Sequence, residues 1–149
     1  MLATVAKENA SARTILVVDD QPDIRLMCRV NLALEGYHVV EAVDGETGLA
    51  AVTAEQPDLV LLDVMMPGVD GWQVLETMKA SESTHDIPVV LLTARVQRED
   101  EIRGWRSGAA DYLSKPFNPS TLTEVVRRTL MRDNDEDRRR RALEKLSIL

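Results

Sequence analysis

The sequence is short of several things, and each shortage closes off a class of protein. Its one cysteine, Cys28, has no partner for an internal disulfide, which fits a reducing compartment. No apolar run approaches the roughly 20 residues that span a bilayer. The opening stretch MLATVAKENASAR has no apolar block of the kind that marks an export signal. A soluble cytoplasmic protein without membrane insertion is therefore expected. Positive charge is also scarce. The 18 Lys and Arg stand against 25 Asp and Glu, a formal charge of −7, whereas a nucleic-acid-binding domain carries a basic footprint. The deficit belongs to the main body of the chain: residues 132–149 hold six Lys/Arg and five Asp/Glu, or +1, which leaves −8 for residues 1–131. No internal repeat or low-complexity segment interrupts the chain.

What the sequence does have is a regular alternation, in a length of 149 residues that suits one domain with a core of its own. The apolar, β-branched runs at 14–18, 37–42, 58–62, 87–92 and 110–114 read as strands. Between and after them, helical spacing predicts helices over 23–35, 45–55, 72–81, about 97–107 and about 119–132. Gly36 is expected to close the first helix, and Pro119-Ser120 to open the last. Five strands alternating with five helices define an α/β fold with a doubly wound parallel sheet. Ligands of such sheets bind outside the carboxyl ends of the strands.

Those ends carry a consistent set of groups. Asp19 and Asp20 follow the first strand, and Asp63 ends the apolar run of the third, at the mouth of the sheet. Thr93 ends the fourth, and Lys115-Pro116 follow the fifth. Taken singly, Asp19-Asp20 reads as a turn, Thr93 as a cap, Lys115 as a surface lysine and Tyr112 as a core residue. Taken together, three carboxylates, a hydroxyl and an ammonium converge on one rim. Close carboxylates repel one another, and one lysine does not balance three. A hard divalent cation does, and Mg²⁺ takes one or two carboxylates together with phosphate oxygens.

ILVVDDQPDIR, DLVLLDVMMPGVDGW, VVLLTAR and GAADYLSKPF together resemble the receiver domain of two-component response regulators, of the single-domain type, over residues 13–131. The resemblance implies a flavodoxin-like (βα)5 sheet of strand order 2-1-3-4-5. It also implies transfer of a phosphoryl group from a histidine kinase or histidine phosphotransfer protein. On this resemblance Asp63 is the phosphoacceptor, and Asp20 binds Mg²⁺ (with Mn²⁺ able to substitute) directly, Asp19 largely through water. The Met65 backbone carbonyl completes the metal shell. Thr93 hydrogen-bonds the arriving phosphoryl group, Lys115 pairs with one of its oxygens, Tyr112 swings between rotamers, and the Lys115-Pro116 peptide is cis. Met65 and Arg95, each two residues beyond a key position, tune the lifetime of the product, and their bulk points to slow loss.

The output is less legible. Phosphorylation is expected to alter the face formed by the fourth helix, fifth strand and fifth helix, about residues 97–132, and so to control a partner or self-dimerisation without direct nucleic-acid contact. Residues 1–12 read as a flexible segment. The charged tail 132–149 offers the i,i+4 pairs Asp135/Arg139, Glu136/Arg140 and Asp137/Arg141, then Leu143, Leu146 and Leu149. A solvated tail and a docking helix both fit it. Cys28 and Trp72 are expected to pack in the core, His38 and His85 to be ordinary strand and loop residues, and Trp105 to pack or to face a partner. Other readings are a fragment of a larger regulator and an aspartate-nucleophile phosphohydrolase. The latter carries an Asp-x-Asp where this chain has adjacent Asp19-Asp20. A nucleotide- or flavin-binding module would need a glycine-rich loop where DDQPD stands.

Overall fold

The structure, a computed structural model, describes residues 12–94, 102, 103, 106 and 108–132. Five strands, β1 (Thr14–Val18), β2 (His38–Ala42), β3 (Leu59–Asp63), β4 (Val89–Thr93) and β5 (Asp111–Ser114), pair in the order β2-β1-β3-β4-β5. Every pairing is parallel, so the implied topology is the observed one. β3 and β4 are buried along their whole length and β1 nearly so, while β2 and β5 at the edges are mixed. That contrast follows from helices covering both faces of the sheet, which leaves only its edges near water.

β1 has the limits expected, those of the other four strands move by one or two residues, and one shift matters. β3 does not stop before its charge: Asp63 is its last residue, in register with Leu92, and only 4% exposed. The acceptor candidate is thus inside the sheet's end and not on an open rim. β4 begins at Val89 because Pro88 has no N–H to donate and the Ile87 N–H turns back to the Thr84 carbonyl at 3.1 Å.

The helices are α1 (Pro22–Leu34), α2 (Gly45–Glu55), α3 (Gly71–Ala80) and one over 119–132. Pro22 opens α1, and Glu35 is its C-cap, with Gly36 just beyond it at φ +93°. Asp44 and Asp70 cap α2 and α3, each in a reciprocal capping box, with Thr47 and Gln73. The 119–132 helix has Pro119 at its first position, but Asn118 caps it by accepting the Thr121 N–H at 2.8 Å. Of the expected 97–107 helix, residues 102, 103 and 106 are described and are helical. The Arg103 guanidinium lies 4.5 Å from the Trp72 ring centroid. Arg95, Gln97, Trp105 and the tail with its charge pairs lie outside the described residues.

Period-two alternation sends the strand side chains to opposite faces. Ile15, Val17, Leu59, Leu61, Val90 and Leu92 meet α1 through Cys28 and Leu32, and the 119–132 helix through Leu122 and Val126. Leu16, Val18, Val60, Leu62 and Leu91 meet α2 and α3 through Val52, Trp72, Leu75 and Met78. Cys28 and Trp72 are core residues as expected. Burial pushes the Cys28 thiol up to about 12, with the charge of Asp19 adding to the effect. His38 begins β2 in the open, and His85 sits in a loop with Nδ1 3.1 Å from Asp86. Among the described residues no helix is long and apolar enough to cross a membrane.

Both edge strands are fastened to the helix beside them. Glu41 of β2 lies 3.5 Å from Arg25 and 2.9 Å from Arg29 of α1. Asp111 of β5 lies 3.2 Å from Arg128 and 3.1 Å from Arg132.

Candidate functional site

The parallel register brings the ends of β1, β3, β4 and β5 to one side of the sheet, and with them the expected residues. Carboxylate oxygens of Asp19, Asp20 and Asp63 all lie within 4.8 Å of one another. Asp19 is fully buried, Asp63 and Thr93 nearly so, and Asp20 is exposed. The Lys115 ammonium enters from the end of β5, 2.8 Å from Asp19 Oδ2 and 3.4 Å from Asp63 Oδ2. It also donates to Gln21 Oε1 at 3.0 Å. Asp19 Oδ1 accepts from the Gln21 N–H at 2.9 Å and Asp63 Oδ1 from the Met65 N–H at 3.0 Å.

Charge does not balance here. Burial first, and then the neighbouring Asp19, push the Asp63 carboxyl up to about 6; the Met65 amide and Lys115 only partly offset them. Asp19 Oδ2 has the lysine beside it but no hydrogen bond of good geometry. A buried carboxylate oxygen without a hydrogen bond, facing two other carboxylates, fits a hard cation with oxygen ligands. The donor set is all oxygen, as Mg²⁺ requires.

The backbone explains why these groups meet. The β3 ladder continues one residue past Asp63, with the Val64 N–H on the Leu92 carbonyl at 3.0 Å. The Gly71 N–H then returns to the Val64 carbonyl at 3.2 Å, and α3 starts pressed against the strand end. Any side chain at Gly71 would overlap the Asp63 carbonyl, so the glycine allows that close approach. On the far side, the Lys115 N–H bonds the Thr93 carbonyl at 2.7 Å, and the Lys115–Pro116 peptide is cis. Met65 is 75% exposed beside the site. Tyr112 is half-buried and packs against the core on the α2–α3 face.

Two contacts were not anticipated from the sequence. One is Gln21 on Lys115. The other is the Arg25 guanidinium, whose Nη1 donates to the Asp19 carbonyl at 2.8 Å. The stretch DDQPDIR displays both residues, but Lys115 meets Gln21 only once β5 is in place, and Glu41, which holds Arg25 beside the Asp19 carbonyl, comes from β2.

Comparison with known proteins agrees with this geometry. The sequence profile of the response regulator receiver domain matches residues 15–127. The DNA-binding dual master transcriptional regulator RpaA of Synechocystis sp. is 47% identical over 118 residues, 79% of this chain and 49% of RpaA. The phosphate regulon transcriptional regulatory protein PhoB of Escherichia coli (strain K12) is 43% identical over 121 residues, 81% of this chain and 53% of PhoB. The chain thus spans about half the length of these curated relatives. Among solved structures, the chemotaxis protein CheY4 of Vibrio cholerae superposes with a TM-score of 0.77 at 32% identity, covering 80% of this chain and 99% of CheY4. From the acidic strand ends to the profile that spans them, the observations agree: the chain belongs to the response regulator receiver domains, the signalling switches of two-component systems.

Proposed function

We propose that this receiver is switched by phosphorylation of Asp63, taken from a phosphohistidine of a histidine kinase or histidine phosphotransfer protein in the cytoplasm. An Asp63 oxygen attacks phosphorus, the phosphorus–nitrogen bond to imidazole breaks, and an acyl phosphate forms. Such transfer is mostly positioning and charge neutralisation. The observation that carries the reading is the meeting of buried Asp63, two further carboxylates and the Lys115 ammonium at one end of the sheet.

The Met65 N–H holds one Asp63 oxygen in place. Lys115 neutralises a phosphoryl oxygen as charge develops, and Thr93 hydrogen-bonds another. The carboxylates of Asp19, Asp20 and Asp63 and the Met65 carbonyl would hold Mg²⁺, or Mn²⁺ in its place, which when bound supplies the remaining positive charge. The ionised Asp63 needed for attack is the minor form below about pH 6 without metal. Water hydrolyses the acyl phosphate, so phosphorylation and its loss need no further active site, and Met65 with Arg95 sets the lifetime. Movement of Thr93 toward the phosphoryl group leaves room for Tyr112 to turn inward. That alters the 97–132 face and controls a partner or dimerisation. Residues 13–131 form the switch, with 1–12 and 132–149 as flanking segments. DNA binding named for RpaA is a property of that longer protein, and none is assigned to this chain.

The test is intact mass after incubation with acetyl phosphate and Mg²⁺. One phosphoryl adduct is expected on the wild-type chain and none on Asp63→Asn. An adduct retained by the variant would place the acceptor elsewhere. The lifetime assignment fails if the adduct's half-life is only seconds.

A further inference from the structure

Arg25 is a charged group that phosphoryl transfer leaves unused, yet its contacts run into the site. The β1 ladder ends at Val18, in register with Ala42 on one side and Leu62 on the other. The Asp19 N–H still reaches the Ala42 carbonyl at 3.2 Å. The Asp19 carbonyl lies beyond the ladder, in a residue that is fully buried. A buried carbonyl must find a donor, and Arg25 Nη1 supplies it at 2.8 Å. The guanidinium is held in turn by Glu41, with Nε 3.5 Å from Oε1. Arg29 takes the other Glu41 oxygen and, among the described residues, makes no hydrogen bond to the Asp19–Gln21 turn. The two arginines also differ in exposure, 17% for Arg25 and 51% for Arg29.

We propose that Arg25 is a positioning residue for the acidic pair: gripping Glu41 and the Asp19 carbonyl together, it fixes the Asp19–Gln21 turn so that both aspartates face Asp63. The inference rests on the divalent-cation reading for one of its two readouts and is independent of it for the other. Electrostatics alone gives the opposite sign. Removing a cation from beside an acidic cluster should tighten Mg²⁺ binding, whereas loosening the turn should weaken it.

The experiment compares the full wild-type chain with Arg25→Gln and Arg29→Gln. In metal-free protein, exchange of the Gln21 amide, which is held by Asp19 Oδ1, is followed by NMR against core amides such as that of Leu61. It should quicken about fivefold in Arg25→Gln, as expected for one lost net hydrogen bond, and stay unchanged in Arg29→Gln. In calorimetric Mg²⁺ titration, Arg25→Gln should bind about tenfold more weakly, the range for a residue supporting a metal ligand. Arg29→Gln should stay within about twofold of the wild type. Unchanged Gln21 exchange in Arg25→Gln, Mg²⁺ binding as tight as the wild type's or tighter, or equal effects of the two variants would overturn the proposal. A wild-type chain that binds no Mg²⁺ would instead sink the cation reading, and amide exchange alone would decide on Arg25. If Arg25→Gln does not fold, Arg25→Lys keeps the charge but cannot bridge both partners. It should still bind Mg²⁺ about threefold more weakly, and wild-type affinity there would overturn the assignment.

Discussion

Glu41 on β2 and Asp111 on β5 are the two ends of a comparison that the fold itself sets up. Each is a carboxylate on an edge strand, and each is bracketed by two arginines four residues apart on the neighbouring helix. The surroundings differ. Arg25 is 17% exposed and has a second acceptor, the Asp19 carbonyl. Arg128 and Arg132 are about half exposed, and both converge on a single Asp111 oxygen. Exposed pairs of that kind contribute little, because water and salt screen them and two long side chains must be ordered. What distinguishes the β2 bracket is its second, backbone partner. The same local chemistry is thus a fastening at one edge and, by our proposal, a support of the site at the other.

Four measurements sharpen or break this contrast, and the largest calibrates it by showing what unbalanced buried charge costs. Asp63→Asn should stabilise metal-free protein at pH 7.5 by up to about 3 kcal/mol, from a carboxyl pushed up to about 6. The sign follows from the raised value. Below the usual carboxylate range both folded and unfolded states hold the proton. As pH rises toward about 6 the unfolded state releases it first and stability falls, and above that the full cost applies. Urea denaturation in EDTA should therefore show the gain at pH 7.5 and its disappearance near pH 4. A gain independent of pH would mean that the variant acts through packing. Next, Arg25→Ala should cost about 2 kcal/mol in thermal melts, because it leaves a buried carbonyl and a half-buried carboxylate without partners. Glu41→Gln should cost about 1 kcal/mol, since the amide still offers an oxygen to Arg25. Asp111→Asn should change stability by less than about 0.5 kcal/mol, and the small loss should vanish in high salt. Equal losses from Glu41→Gln and Asp111→Asn would erase the distinction between the edges.

The fold was legible because its signals are local. Five apolar runs with helical spacing between them define the elements, and their alternation implies a parallel sheet. The principal site residues were legible for a related reason: each sits just where an apolar run gives out. What was hidden depends on partners far along the chain. Leu62-Asp63 reads as a strand stopping at a charge, yet pairing with Leu92 carries the ladder through Asp63 and buries it. Arg25, in the first turns of a helix, reads as a solvated cation. Nothing nearby in sequence says that β2 ends at Ala42 and leaves the Asp19 carbonyl in need of a donor. Asn118 is inconspicuous in the sequence for a simpler reason. Proline at the first helical position attracts attention, but the residue before it is the one that caps.

Trp72 offers the molecule an optical handle on itself. The residue is 6% exposed, with the Arg103 guanidinium over one face of its indole. It also lines an opening with Met65, Met66 and Asp70, the loop that leaves Asp63. Any displacement of that loop, or of the helical residues carrying Arg103, changes the polarity and the charge next to the ring. In a Trp105→Phe chain, where Trp72 is the one tryptophan left to emit, the colour and intensity of emission therefore report, without any label, on displacement of the strand end bearing Asp63 or of the helical segment beside it.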